Sequence, residues 1–193
     1  MIEATLTSER ILDAAEEVLR RFGPAKATVV DVARALGVSH GSVYRHYASK
    51  AELRDAVAAR WLTRVSDPLA AIAAEDGPAL PRLRRWFDAL FAMKRRKVLD
   101  DPELFATYHA IALESREVVR THVEHLVGQL TQIIADGAAS GELRVADPAA
   151  AARAVFDATS RFHNPAHGAE WRDPAIDASF EGVWSLLVAG LRA

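Results

Sequence analysis

Apolar residues recur at intervals of three and four along nearly the whole chain and alternate at period two over no convincing length, so helices must supply the packing surfaces. The first amphipathic stretch sets Ile11, Leu12, Ala15, Val18, Leu19 and Phe22 against Glu9, Arg10, Asp13, Glu16, Glu17, Arg20 and Arg21. Thr7 or Ser8 offers the oxygen that caps its start, and Gly23-Pro24 stops it. Thr28 begins a second helix with Val32, Ala33 and Leu36 inward, which Gly37 ends. Ser39 caps a short third helix whose Val43 and Tyr47 face the first two. Ser49 caps a fourth, Glu52 completes a capping box three residues later, and Leu53, Val57 and Trp61 continue the apolar face.

Asp-Pro then occurs four times, pairing a good N-cap with a residue suited to the first helical position. Asp101-Pro102, Asp147-Pro148 and Asp173-Pro174 read as helix starts, whereas Asp67-Pro68 reads as a break or kink in the fourth helix, and Glu75 to Pro78 reads as a loop. The remaining predicted helices are Pro78 to Lys97, Pro102 to Leu113, Arg116 to Gly137, Pro148 to Phe162 and Pro174 to Leu191. The fold class expected is all-α, with a small N-terminal module and a larger helical remainder.

Charge separates the two parts. The whole chain carries −2, which excludes a general polycation and leaves nucleic-acid affinity to local charge. From Val18 to Lys50 six basic residues (Arg20, Arg21, Lys26, Arg34, Arg45, Lys50) face one acid, Asp31, a net of +5. Cysteine is absent, which excludes disulfides, thiol catalysis and thiolate-bound metal. The opening MIEATLTSERIL has acids where a secretion signal would be basic, and no apolar run approaches a membrane span, so the expected compartment is the cytoplasm.

The stretch Thr28 to Tyr47, TVVDVARALGVSHGSVYRHY, places two helices about a tight turn at Gly37-Val38, the arrangement in which a second helix enters the DNA major groove. Ser39, His40, Gly41, Ser42 and Arg45 are short or hydrogen-bonding residues near the start of that helix, suited to approaching base edges. Arg45, with His40 and Ser42, would read sequence. Tyr44, His46, Tyr47 and Lys50 suit phosphate contacts on either side, and Thr28 would set a hydroxyl and a helix N-terminus against another phosphate.

On these residues the first 65 positions resemble the DNA-binding domain of the TetR family of regulators. The matching pieces are Phe22-Gly23, Thr28, Val32-Ala33, Leu36-Gly37-Val38-Ser39, Gly41-Ser42-Val43-Tyr44, His46-Tyr47 and Ser49-Lys50 with Leu53, in order and at fixed spacing. The resemblance implies a three-helix N-terminal domain over residues 1–65 and a helical effector-binding and dimerisation domain over 66–193. It also implies a homodimer, a double-stranded DNA operator as partner, and repression that a small molecule relieves.

The resemblance further implies a pocket between the middle helices. Trp86, Phe87, Leu90, Phe91, Met93, Tyr108, Ala112, Phe156, Thr159 and Phe162 are candidates to line it, with Tyr108, His109 and Thr159 as polar groups, although each also suits an ordinary core position. Such a lining favours an apolar or aromatic ligand. A second reading gathers His109, His163 and His167 into a nitrogen-rich metal site, with His122 and His125 sharing a helix face. No cofactor is implied. An enzyme has no visible apparatus, since the chain lacks a Gly-rich phosphate loop, a Gly-x-Ser-x-Gly elbow and a His-Glu-x-x-His pair. The small residues Ala149, Ala150, Ala151, Ala152, Ala154 and Ala158, with Val183, Trp184, Leu187, Val188 and Leu191 of the last helix, suit a two-fold four-helix bundle between subunits. A ligand would then tilt the fourth helix, Lys50 to Val65, and move two reading heads out of register.

Overall fold

A computed structural model describes residues 6–192; Met1 to Thr5, where the acidic opening was read, lie outside the described residues. Among the described residues ten α-helices and one three-ten helix are joined by short turns, and the only β-type pairing is an isolated bridge between Leu143 and Arg192. The helices are α1 (Ser8–Lys26), α2 (Val29–Leu36), α3 (His40–Tyr44), α4 (Lys50–Ala73), α5 (Ala79–Asp100), α6 (Pro102–Glu114), α7 (Arg116–Ala139), α8 (Pro148–Ala158), α9 (Ser160–His163) and α10 (Ala175–Leu191), with the three-ten segment Pro165–Arg172 before α10. The all-α expectation is met.

Two compact units form. The first takes the chain up to Leu62 together with Glu103–Arg120, and the second takes Thr63–Pro102 with Thr121 onward. In the first unit, Ile11, Leu12, Ala15 and Val18 of α1 pack with Val32 and Ala33 of α2, Val43 of α3 and Leu53, Val57 and Trp61 of α4. Tyr108 and Ile111 of α6 complete that core from far along the chain. Gly23, at φ 72, takes the chain out of helical geometry where the stop was expected. Arg60 of α4 binds α1 through Glu16 at 2.9 Å, Asp13 at 2.8 Å and Glu9 at 3.2 Å.

In the second unit Trp86, Phe87 and Leu90 of α5 are fully buried, as are Leu130, Ile133 and Ile134 of α7. A buried polar relay runs through this core: the Trp86 indole donates to Gln129 Oε1 at 2.9 Å, and Gln129 Nε2 donates to the Ser66 carbonyl at 3.1 Å. The N-terminus of α5 lacks a cap of its own, and the Glu142 carboxylate accepts from the Ala79 and Leu80 amides at 2.5 and 2.9 Å.

Most helix ends fall within three residues of the sequence reading, and two helices differ in continuity. Helix α4 runs through Pro68 to Ala73, so of the break or kink read at Asp67-Pro68 the break does not form. An internal proline costs about 3 kcal/mol, and here Val65, Leu69 and Ala73 are all but fully buried around it, which offsets that cost. The helix expected from Pro148 to Phe162 divides at Thr159, which leaves helical geometry at ψ 6 and donates its hydroxyl to the Val155 and Phe156 carbonyls at 2.9 and 3.0 Å.

Candidate nucleic-acid interface and effector unit

The turn between α2 and α3 is built by backbone chemistry. Thr28 accepts from the Asp31 amide at 3.2 Å while Asp31 accepts from the Thr28 amide at 3.2 Å, a reciprocal cap that starts α2. Gly37 ends it in the left-handed region, at φ 68 and ψ 28, with its amide on the Ala33 and Arg34 carbonyls. Ser39 then accepts from the Ser42 amide at 3.2 Å and starts α3. Val43 is fully buried and pins the short helix to the core, which leaves His40, Gly41, Tyr44, Arg45 and His46 exposed.

Three separate contacts order the exposed side chains. Arg45 Nη2 donates to Ser42 Oγ at 3.1 Å, and Ser42 Oγ lies 3.0 Å from Ser39 Oγ, so the guanidinium is held beside the start of α3. The His40 and Tyr44 rings meet edge to face at 6.3 Å. His46 Nδ1 stands 3.3 Å from Ser8 Oγ of α1. Between Ser39 and Lys50 the sequence has no acid, so nothing on this stretch repels a phosphate.

Two predicted contact residues are more constrained than the sequence implied. Tyr47 is 9% exposed, and its ring belongs to the core. Burial raises its hydroxyl above the ordinary tyrosine value, against a hydrogen bond with Ser8 that lowers it. The Thr28 hydroxyl donates to Asp31 at 2.6 Å, so a phosphate at this helix end would draw the donor away from a carboxylate. That hydrogen bond holds the Asp31 carboxyl below its ordinary range, and Arg34 adds to the effect at 3.0 Å.

In the second unit the structure sorts the predicted pocket residues. Trp86, Phe87 and Leu90 are core, and Phe156, on α8, and Thr159, at its end, are buried as well. Phe91 and Phe162 instead line a cavity of about 350 Å³ with Trp171, Ile176 and Phe180. Its rim is charged: Arg84 clamps Glu181 with bonds of 2.9 and 2.6 Å, and Arg95 donates to Asp177 at 3.0 Å. The Arg84 guanidinium also lies 5.2 Å from the Phe180 ring centre. Sequence reasoning missed this pair of ion bridges. The signal was an acidic pair one turn apart on α10, Asp177 and Glu181, facing basic positions on α5.

Tyr108 and His109 do not join these aromatics. They stand in the first unit, where Tyr108 stacks flat on Trp61 at 4.8 Å and His109 on Phe105 at 6.2 Å, because the apolar side of α6 completes that core. Met93 and Ala112 are half-buried. The proposed histidine triad is likewise not assembled, and among the described residues no three His, Asp or Glu groups stand together as metal ligands. His163 Nε2 donates to the Phe156 carbonyl at 3.0 Å, and burial pushes this histidine down to about 4, so it is neutral at pH 7. His167 Nδ1 pairs with Glu170 at 2.7 Å. His122 is pushed down to about 3, first by burial and then by its neighbours, Lys94 ahead of the others.

An all-helical chain that holds a short, acid-free helix on a tight turn, and follows it with a second helical unit, is a helix-turn-helix protein of the regulator class. The chain belongs to the TetR family: residues 11–57 match "Bacterial regulatory proteins, tetR family", and residues 79–184 match "Tetracyclin repressor-like, C-terminal domain". Members of this family are transcriptional regulators and not enzymes. Over 55 residues the chain is 40% identical to the HTH-type transcriptional regulator TtgR of Pseudomonas putida, a match that spans 28% of this chain and 26% of that one. Across nearly the whole length the fold is similar to SmeT, the repressor of the Stenotrophomonas maltophilia multidrug efflux pump SmeDEF, with a TM-score of 0.69, 21% identity and coverage of 98% and 92% of the two chains. It is also similar to the transcriptional regulator FadR of Bacillus subtilis in complex with stearoyl-CoA, with a TM-score of 0.65, 18% identity and coverage of 95% and 99%. Among the described residues no helix is long and apolar enough to cross a membrane.

Proposed function

We propose that the chain is a homodimeric, cytoplasmic transcriptional repressor that binds a pseudo-palindromic DNA operator and leaves it when a small apolar or aromatic molecule binds. The observation that carries this reading is the exposed, acid-free surface of α3, with Arg45 held over Ser42 on a turn made rigid by Gly37 and Val43. In this reading residues 1–65 are the reading head. Arg45, His40, Ser42 and the bare Gly41 approach base edges, while Thr28, Tyr44, His46, Lys50 and the hydroxyl of Tyr47 meet phosphates.

Residues 66–193 are the effector and dimerisation part. The cavity floored by Phe91, Phe162 and Phe180 suits a ligand with an aromatic or aliphatic body. The similarity in fold to FadR with its stearoyl-CoA supports an effector with an apolar body. Pairing of subunits is supported by the exposed small residues Ala149, Ala150, Ala154 and Ala158 of α8 and by Leu186 of α10, which is 76% exposed. Two recognition helices in a two-fold dimer would contact half-sites about 34 to 36 Å apart.

Selection of bound DNA from a random-sequence pool tests the proposal. A pseudo-palindrome with half-sites about one helical turn apart, bound by two copies of the chain, is the expected result. Recovery of no preferred sequence, with binding no stronger than to bulk DNA, would refute it.

A further inference from the structure

The larger cavity of the two described lies wholly in the first unit. It is a crevice of about 470 Å³ walled by α1, α2, α4 and α6. Its floor is apolar and buried: Val18, Val29, Val32, Leu53, Val57 and Ile111 are each at most 6% exposed. Short side chains leave the space open, since Ala15, Ala25, Ala27 and Ala51 all face it, and the departure of the chain from helical geometry at Gly23 brings Pro24 round as part of the wall.

The rim carries two cations and one acid. Arg54 is spent on its neighbours, with Nη1 on Glu114 at 2.6 Å and Nη2 on Asp55 at 3.2 Å. Lys50 is exposed and stands at the mouth. An apolar floor under a lysine ammonium complements a molecule with a hydrocarbon body and one acid group, and the volume falls within the range of small-molecule sites, about 300 to 1,000 Å³.

We propose that this crevice is a small-molecule site within the first unit, taking an amphipathic carboxylate whose apolar body lies on Val57 and Ile111 and whose acid group pairs with Lys50. Its consequence for DNA rests on the function proposed above, because Thr28 and Lys50 line the crevice and are also assigned to phosphates. A carboxylate on Lys50 competes directly for the charge that a phosphate would use. Control of this kind needs no signal from the second unit.

Isoleucine residues mark the two cavities separately: Ile111 lines the crevice and Ile176 lines the cavity of the second unit. The full chain, labelled with ¹³C at the isoleucine δ1 methyls, is titrated with 1-naphthoate and separately with the neutral 1-naphthylmethanol. A saturable shift of Ile111 with Ile176 unmoved is expected, and the acid should bind about tenfold tighter than the alcohol. Lys50→Gln should remove that preference. Ala51→Leu, a change at an exposed position on the rim, should abolish the Ile111 response without lowering the unfolding temperature.

A response at Ile176 alone, equal binding of acid and alcohol, or an Ile111 response that survives Ala51→Leu would each overturn the assignment. The DNA arm is read apart from the site. Naphthoate should weaken binding to the selected DNA in the native chain and leave Ala51→Leu unaffected. If Ile111 responds as expected and DNA affinity does not change, the site stands and the assignment of Lys50 to a phosphate fails.

Discussion

Lys94 is the sharpest test of the electrostatics inside the second unit. It lies on α5 at 6% exposure, and burial, aided by the Lys97 ammonium, pushes it from 10.5 down to about 8. Between these values the unfolded chain holds a proton that the folded chain has released, so stability rises with pH across that window. At neutral pH both states carry the charge, and the folded state bears the net cost that the lowered value reflects. Replacement by methionine keeps an unbranched chain of similar length and removes the charge.

The shift of about 2.5 units makes Lys94→Met more stable than the native chain by about 3 kcal/mol at pH 7, about 2 kcal/mol at pH 9 and less than about 0.5 kcal/mol at pH 10.5. Urea unfolding of both chains at the three pH values measures the gap through the midpoints and slopes. Equal stability at pH 7 would refute the reasoning. A gap that persists unchanged at pH 10.5 would refute it as well, because the gain would then come from packing and not from a buried charge.

Four further outcomes are expected. Gly137→Ala should cost about 1 to 3 kcal/mol in thermal or urea unfolding despite the better helix propensity of alanine, because an added Cβ would lie 2.6 Å from Ala79 Cβ and from a Leu143 methyl. Acidification should destabilise the fold through His122 and His163, held at about 3 and about 4 when folded against 6.5 when free; the loss starts below pH 6.5 and reaches about 4 kcal/mol for the pair by pH 5, and a stability profile flat from pH 7 to 5 would contradict it. Arg45→Ala should level the affinities for the selected operator and scrambled DNA, whereas Lys50→Ala should weaken both alike and lower the salt slope by about one, measured by fluorescence anisotropy. Glu142→Ala should leave the Ala79 and Leu80 amides without acceptors and cost about 1 to 2 kcal/mol, read by faster amide exchange confined to the first turn of α5.

What could be read in advance was local. The reciprocal cap of Thr28 and Asp31, the left-handed Gly37 and the caps at Ser39 and Ser49 are encoded within three or four residues of the atoms they satisfy, and the apolar positions of α1 to α4 sort by helical period alone. Long-range events had no such signal. Glu142 caps a helix that begins 63 positions earlier, α6 gives Tyr108 and Ile111 to a core built from the first 62 residues, and Arg84 finds Glu181 across 97 positions. Pro68 was read by its local cost, which the burial of its neighbours outweighs. The aromatic residues of α5 were the hardest to sort, since Trp86 and Phe87 as core and Phe91 as cavity wall differ in the face they present and not in residue type.

Helix α3 has only five residues, too few to hold a helix in water by its own hydrogen bonds. Its order is borrowed from Val43, Ser39 and Gly37, none of which needs to touch a base. The residues that would do the reading, His40, Gly41 and Arg45, contribute little to that order because they are exposed, and surface substitutions of this kind shift stability by about 0.5 kcal/mol or less. Holding and reading are thus assigned to different side chains only one or two positions apart. New sequence preferences are within reach of single substitutions that leave the scaffold standing, so a lineage built on this head can change its target faster than its fold.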